Sequence, residues 1–170
     1  MFKAHPKIEV RPNSLDKNLF KVGYIIIGIH FLMTALSYSN LLDIIPIHFN
    51  LKGEADGFSN KLNIWFLPLL NVGMFYGIKL LVTKMKPYQM NYPVKVTETN
   101  APVLYGMAIR MLVLLNLSIA LLLFLISLHT ILLTQNLLPF DFGYFLIFSI
   151  GFITLIPFYF IFKMLKLPKT

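Results

Sequence analysis

The sequence predicts an all-α, polytopic membrane protein: a four-transmembrane-helix bundle with both termini cytoplasmic. Three observations lead there. The 170-residue chain is 57% hydrophobic and 13% charged, against roughly 45–50% and about 25% in ordinary soluble domains. Its apolar residues gather in four stretches, each long enough to cross about 30 Å of hydrocarbon. Its net charge of +8 is spread unevenly over the connections. A soluble enzyme of this length cannot bury so much apolar surface. The chain has no cysteine, which excludes a disulfide framework, a thiolate zinc site and a cysteine nucleophile. The apolar content also excludes disorder.

The first span runs from about Phe20 to Leu42, interrupted only by Lys21 at its edge and His30 at its middle. It reads as a retained helix and not a signal peptide, because Ser39, Asn40 and Leu41 lead straight into Asp43 with no small-residue cleavage site. The second span runs from about Leu62 to Met85, the third from Ala101 to Thr134 and the fourth from about Phe142 to Leu165. Short connections between them suit an antiparallel bundle. Pro68 and Pro157 are expected to kink the second and fourth helices. Gly73 and Gly77, one turn apart, suit close helix packing, either within the chain or in a homodimer. The third helix starts clearly: Asn100 is a good N-cap, and Pro102 falls in the first turn, where a missing N–H costs little. At ~1.5 Å per residue this helix is about 51 Å long and exceeds the bilayer core. Its first turns should therefore reach the cytoplasmic interface, with Tyr105 in the aromatic belt and Arg110 among phosphates.

Every lysine and arginine except Lys52 and Lys61 falls on one side of this arrangement. Positive-inside bias assigns that side to the cytoplasm. The chain then divides into a cytoplasmic arm (1–19), a membrane domain (20–165) with an outer loop (43–61) and a cytoplasmic loop (86–100), and a tail (166–170). The basic clusters need no nucleic acid, since no helix-turn-helix or aromatic–basic platform accompanies them. Membrane lipids are the expected partner. On the cytoplasmic side, residues 7–11 and 94–97 alternate polar and apolar. They read either as a two-stranded pairing or as two extended arms.

His30 lies near the bilayer midplane, where ionisable residues are functional candidates because their charged form is costly. The competing reading is a neutral imidazole bonded to Asn71, Asn116 or Thr34. No acidic partner occurs within any span, which favours the neutral reading. Asn71, Asn116, Ser118, Ser127, Ser149 and Thr154 read as interhelical hydrogen-bond groups, and His129 is placed to face the outer loop.

That loop, LLDIIPIHFNLKGEADGFSNK, is about 20 residues long, which makes it functional or disordered by length. Its Ile, Leu and Phe content argues against disorder. In a purely structural reading, Asp43 and Asn50 cap turns, Gly53 takes a positive φ, Asp56-Gly57 makes a tight turn, and Ser59 or Asn60 caps the second helix. A second reading is an external binding surface. A third is a catalytic or metal site on His48, Asp43, Glu54 and Asp56, whose side chains suit zinc, although no HExxH pattern is present.

The order Ile45-Pro46-x-His48-x-Asn50-x-x-Gly53-x-x-Asp56, followed by Lys61, resembles the signature of a bacterial membrane domain family of unknown function. That domain also forms the N-terminal part of the SdpI-type immunity proteins. A second block, Asn91-Tyr92-Pro93-Val94-Lys95-Val96-Thr97 with Asn100, Tyr105, Arg110 and Met111, is similar to the family's second motif. The resemblance covers roughly residues 18–130. The chain departs from it at Leu41-Leu42-Asp43, where the family usually has Leu-Pro-Asp, and the extra C-terminal helices of full immunity proteins are missing. The resemblance implies a multi-pass protein of the bacterial inner membrane, some of whose relatives protect a cell against its own secreted toxin.

The expectation is thus a membrane protein whose outer loop binds or senses an extracellular agent, such as a peptide or toxin, with no cofactor, no metal and no catalysis. The alternative is a membrane enzyme or metal-dependent site at the outer face on His48, Asp43 and Asp56. A small transporter fits less well, since no inverted repeat or mid-membrane charge pair is visible.

Overall fold

The computed structural model describes residues 5–50, 54–137 and 142–167. Helix α1 spans Ser14–Ser37, α2 Phe66–Lys84, α3 Ala101–Thr134 and α4 Phe142–Leu165. Each lies in or contains a segment long and apolar enough to cross a membrane. Ile29, Leu69, Phe148 and Phe158 point outward and are well exposed. Apolar surface on this scale requires lipid rather than water, and the chain is a multi-pass membrane protein.

Helix α1 starts earlier than its apolar stretch suggests, because Asn13 and Asp16 form a capping box. The Asn13 side chain accepts from the Asp16 N–H at 3.0 Å, and Asp16 Oδ2 accepts from the Asn13 N–H at 2.9 Å. Two of the helix's orphan donors are satisfied this way. A 3-10 turn over Lys61–Trp65 precedes α2. Pro68 falls in the first turn of α2, where its missing N–H has no intrahelical partner to lose, so no kink is needed there. Helix α3 occupies the predicted 34 residues. It closes with Asn136 at a φ of 54°, a Leu137 N–H to Leu132 bond and an Asn136 N–H to Leu133 bond. This is a Schellman ending in which Asn takes the left-handed position.

Helix α3 is the centre of the bundle and packs on α1, α2 and α4. The core between the first three helices contains Phe20, Ile27, Phe75, Val113 and Ala120. Close approach of α1 and α2 depends on Gly23, since a Cβ there would lie 2.1 Å from Phe75 Cε2. Gly73 and Gly77 do not do this work. A Cβ at either meets nothing within 4 Å, so packing of these two glycines within the chain is not observed. They sit on the outward face of α2.

The extra length of α3 is used at both ends. At its start, Leu104, Tyr105 and Ala108 are covered by Ile8, Val10, Tyr92, Val94 and Val96. At its finish, Ile131 joins Leu41, Ile45 and Ile64 in a second cap. This second cap includes the two-stranded sheet, β1 (Ile44–Phe49) paired antiparallel with β2 (Ala55–Asn60). Residues 7–11 and 94–97 form no strands. Their alternation instead reflects two extended arms, each laying one apolar face on α3. A half-buried extended segment shows period 2 whether or not it is paired.

Candidate functional site

The β-hairpin is fastened to the bundle by its inner face. Ile45 is 1% exposed, and Pro46 is also buried. The Phe49 ring lies 4.6 Å from the His129 ring of α3. Nearby, Trp65 stacks obliquely on Phe31 and Tyr38. With this face clamped, the outer face presents three side-chain links in sequence. At the base, Lys61 Nζ donates to Asp43 Oδ1 at 2.9 Å. In the middle, His48 Nδ1 meets Asp56 Oδ1 at 2.5 Å. At the tip, Asn50 Nδ2 donates to Glu54 Oε2 at 2.8 Å while Asn50 Oδ1 accepts from the Glu54 N–H at 3.0 Å.

The register shifts on both sides of His48. Such irregularities re-aim a side chain out of the regular ladder. Gly57 lies across from His48, where an added Cβ would come within 2.8 Å of His48 Cβ. Glycine there makes room for the imidazole. The His48 and Asp56 side chains are 72% and 45% exposed, so their pair faces water. Ile47 and Phe58, on the same two strands, are also exposed and apolar.

The loop motif therefore sorts into two groups. Ile45 and Pro46 anchor, while Asp43, His48, Asn50, Asp56 and Lys61 face outward as cross-strand partners. Gly53 lies outside the described residues. Asp56-Gly57 is not a tight turn; both residues lie within β2, and the Asn50 N–H donates to the Glu54 carbonyl at 2.9 Å. Asn60 caps the 3-10 turn by accepting from the Leu62 N–H at 2.9 Å. Asp43 is drawn to Lys61 and not to His48 and Asp56, so the three residues of the metal or catalytic reading are not brought together. Among the described residues no group of three or more His, Asp or Glu side chains is placed to hold a metal ion.

A second polar constellation sits inside the bundle. His30, Asn71 and Ser127 come from three different helices and are all essentially fully buried. Asn71 Nδ2 donates to the Ala120 carbonyl at 2.9 Å and lies 3.1 Å from His30 Nδ1. His30 Nε2 lies 2.8 Å from Ser127 Oγ. Thr34 does not reach the imidazole and bonds the His30 carbonyl instead. Asn116 donates to the Phe75 carbonyl at 3.2 Å.

At the opposite end, Tyr105 is not in an aromatic belt. It is fully buried, and its hydroxyl donates to the Pro6 carbonyl at 2.8 Å. Arg110 pairs with Asp16 and Asn13. Asn100 stands at the N-cap position without capping. Its side chain instead accepts from the Thr97 N–H and donates to the Lys95 carbonyl. Asn91 and Pro93 are exposed, and Tyr92 is tucked under with its hydroxyl on the Pro87 carbonyl. Burial pushes the Tyr92 phenol up from its ordinary value. Glu9 bridges Lys86 at 2.9 Å and Arg11 at 3.3 Å. Those cations hold its carboxyl below the usual range, and Glu9 in turn raises Lys86. Asp16 is the residue sequence reasoning missed; the Asn13-x-x-Asp16 spacing is its signal.

Residues 25–72 match a family model described as a domain of unknown function, DUF1648. The matched stretch holds most of α1, the hairpin and the first part of α2, including both His30 and Asn71. No curated protein and no solved structure matches the chain.

Proposed function

We propose that this is a non-enzymatic protein of a bacterial cytoplasmic membrane whose hairpin faces outward and binds or senses an extracellular agent. A membrane-active peptide toxin is the most concrete candidate. The observation that carries the reading is the His48–Asp56 pair, held on a bundle-anchored hairpin yet open to water. On the same hairpin, Ile47 and Phe58 are apolar and 53% and 61% exposed. A cationic amphipathic peptide presents complementary groups, a positive charge for Asp56 and apolar side chains for Ile47 and Phe58. The sidedness is supported by the basic residues, which cluster at the end of the bundle away from the hairpin. The immunity role is supported by the resemblance of the hairpin motif to that of the SdpI-type proteins.

Expression should raise survival of a sensitive strain exposed to the peptide, and His48→Ala with Asp56→Ala should abolish the gain. Unchanged survival with abundant wild-type protein in the membrane would refute it. The reading of a metal or hydrolytic site has the same His48–Asp56 pair in its favour. Stoichiometric zinc in the purified protein, lost on His48→Ala, would establish it.

A further inference from the structure

We propose that the cleft between α1 and α2, at the end of the bundle bearing the extended arms, is a binding site for an anionic phospholipid. The site is independent of the hairpin's role. It is a cavity of about 640 Å³. Its rim carries Lys17, Lys79, Lys84 and Lys86 with Arg11, against a single acid, Glu9. Glu9 is already engaged by Lys86 and Arg11. Among the described residues Lys17, Lys79 and Lys84 have no carboxylate partner, so the cleft holds uncompensated positive charge.

Lys79 is the central residue. It lies five residues before the end of α2, which sets it about 8 Å inside the helix end. A lysine at that depth is costly unless something offsets its charge. Here its ammonium donates to the Tyr24 hydroxyl and lies 5.0 Å and 6.0 Å from the Tyr24 and Tyr76 ring centroids. Two aromatic faces and a phenol hold it in place but leave its charge unneutralised. The cavity wall below is apolar, formed by Phe20, Tyr24 and Val82. A phosphate at the rim with an acyl chain against that wall satisfies both halves. A soluble anion would leave the wall exposed to water. Basic pockets between membrane helices recognise lipid headgroups by this combination.

The test is retention of lipid by the purified full chain in native mass spectrometry, with phosphatidylglycerol and phosphatidylcholine supplied in parallel. Phosphatidylglycerol should be retained about ten-fold better. Lys79→Gln should weaken its retention about five-fold, roughly the share of one lysine near a charged surface, and Lys79→Arg should restore it. Lys17→Gln with Lys84→Gln, both exposed positions, should weaken it without disturbing the fold. Lys163→Gln on α4, away from the cleft, should change nothing. Equal retention of the two lipids, or wild-type retention in both Gln variants, would overturn the proposal. So would displacement of phosphatidylglycerol by millimolar inorganic phosphate, which would make this a soluble-anion site.

Discussion

The Asn71 amide determines which nitrogen of His30 carries the proton. Because Asn71 Nδ2 bonds the Ala120 carbonyl, its second N–H is the group facing His30 Nδ1. Nδ1 must therefore accept, which leaves Nε2–H to donate to Ser127. The imidazole is neutral and acts as a cross-brace between α1, α2 and α3. Ser127→Ala or Asn71→Leu should cost about 0.6–2 kcal/mol, the range for interhelical hydrogen bonds in membrane proteins, measured by reversible unfolding in bicelles. Asn71 as a partner of His30 was legible from residue type and depth. Ser127 was legible only as one of six polar candidates, because helix rotation is not written in a nearly uniform apolar stretch. Glycine shows the same limit. Gly73 and Gly77 carry the recognisable spacing, yet the close contact is at Gly23, which has no motif around it. Gly23→Ala should cost about 1–3 kcal/mol by overpacking, since Phe75 is enclosed by the Phe20 and Tyr24 rings. Gly73→Ala with Gly77→Ala should be close to neutral in a single copy. A marked loss there would reveal a second copy seated on α2.

Among the elements, the hairpin is held to the bundle chiefly by its inner face, with Ile45 the most deeply buried residue of that face. Ile45 lies beside the buried Pro46 in β1 and plugs a cap made with Leu41, Ile64 and Ile131. Ile45→Ala should cost about 2–5 kcal/mol and free the hairpin while leaving the helices in place. Amide exchange would then rise across β1 and β2 but not in α3. Equal loss of protection in α3 would show that hairpin and bundle are one cooperative unit. The third helix was readable to the residue because Pro102 in its first turn and the apolar run define it, and the fourth was readable approximately from its apolar run. The hairpin was not, since Pro46 and the offset pairing around His48 obscure strand alternation, and Asp56-Gly57 imitates a turn. In the two arms the alternation was genuine, but a pattern of period 2 reports burial on one face and not the identity of what covers it.

For the whole molecule, two caps at opposite ends of an over-long α3 separate two environments. The arm end is basic and is stapled by the Glu9–Lys86 bridge, whose pH response follows from its shifts. Glu9 is lowered from 4.5, so its contribution is present above that value and lost as pH falls through the lower, folded value. Lys86 is raised from 10.5, so its contribution is present below that value and lost as pH rises through the higher one. The spin-label distance between positions 7 and 89 should hold between about pH 5 and pH 10 and broaden on either side. A distance insensitive to acid would mean that the apolar contacts of Ile8 and Val10 and the Tyr105–Pro6 hydrogen bond hold the arm without the bridge.

The account stands on the hairpin being presented outside the cell, and the absence of cysteine from the chain makes that directly measurable. Single cysteines in place of Asn60 on the hairpin and Lys95 in the arm-end loop would be treated with a membrane-impermeant maleimide in intact cells. The account predicts labelling at position 60 before lysis and at position 95 only after it. Labelling of position 95 in intact cells, with position 60 protected, would contradict it.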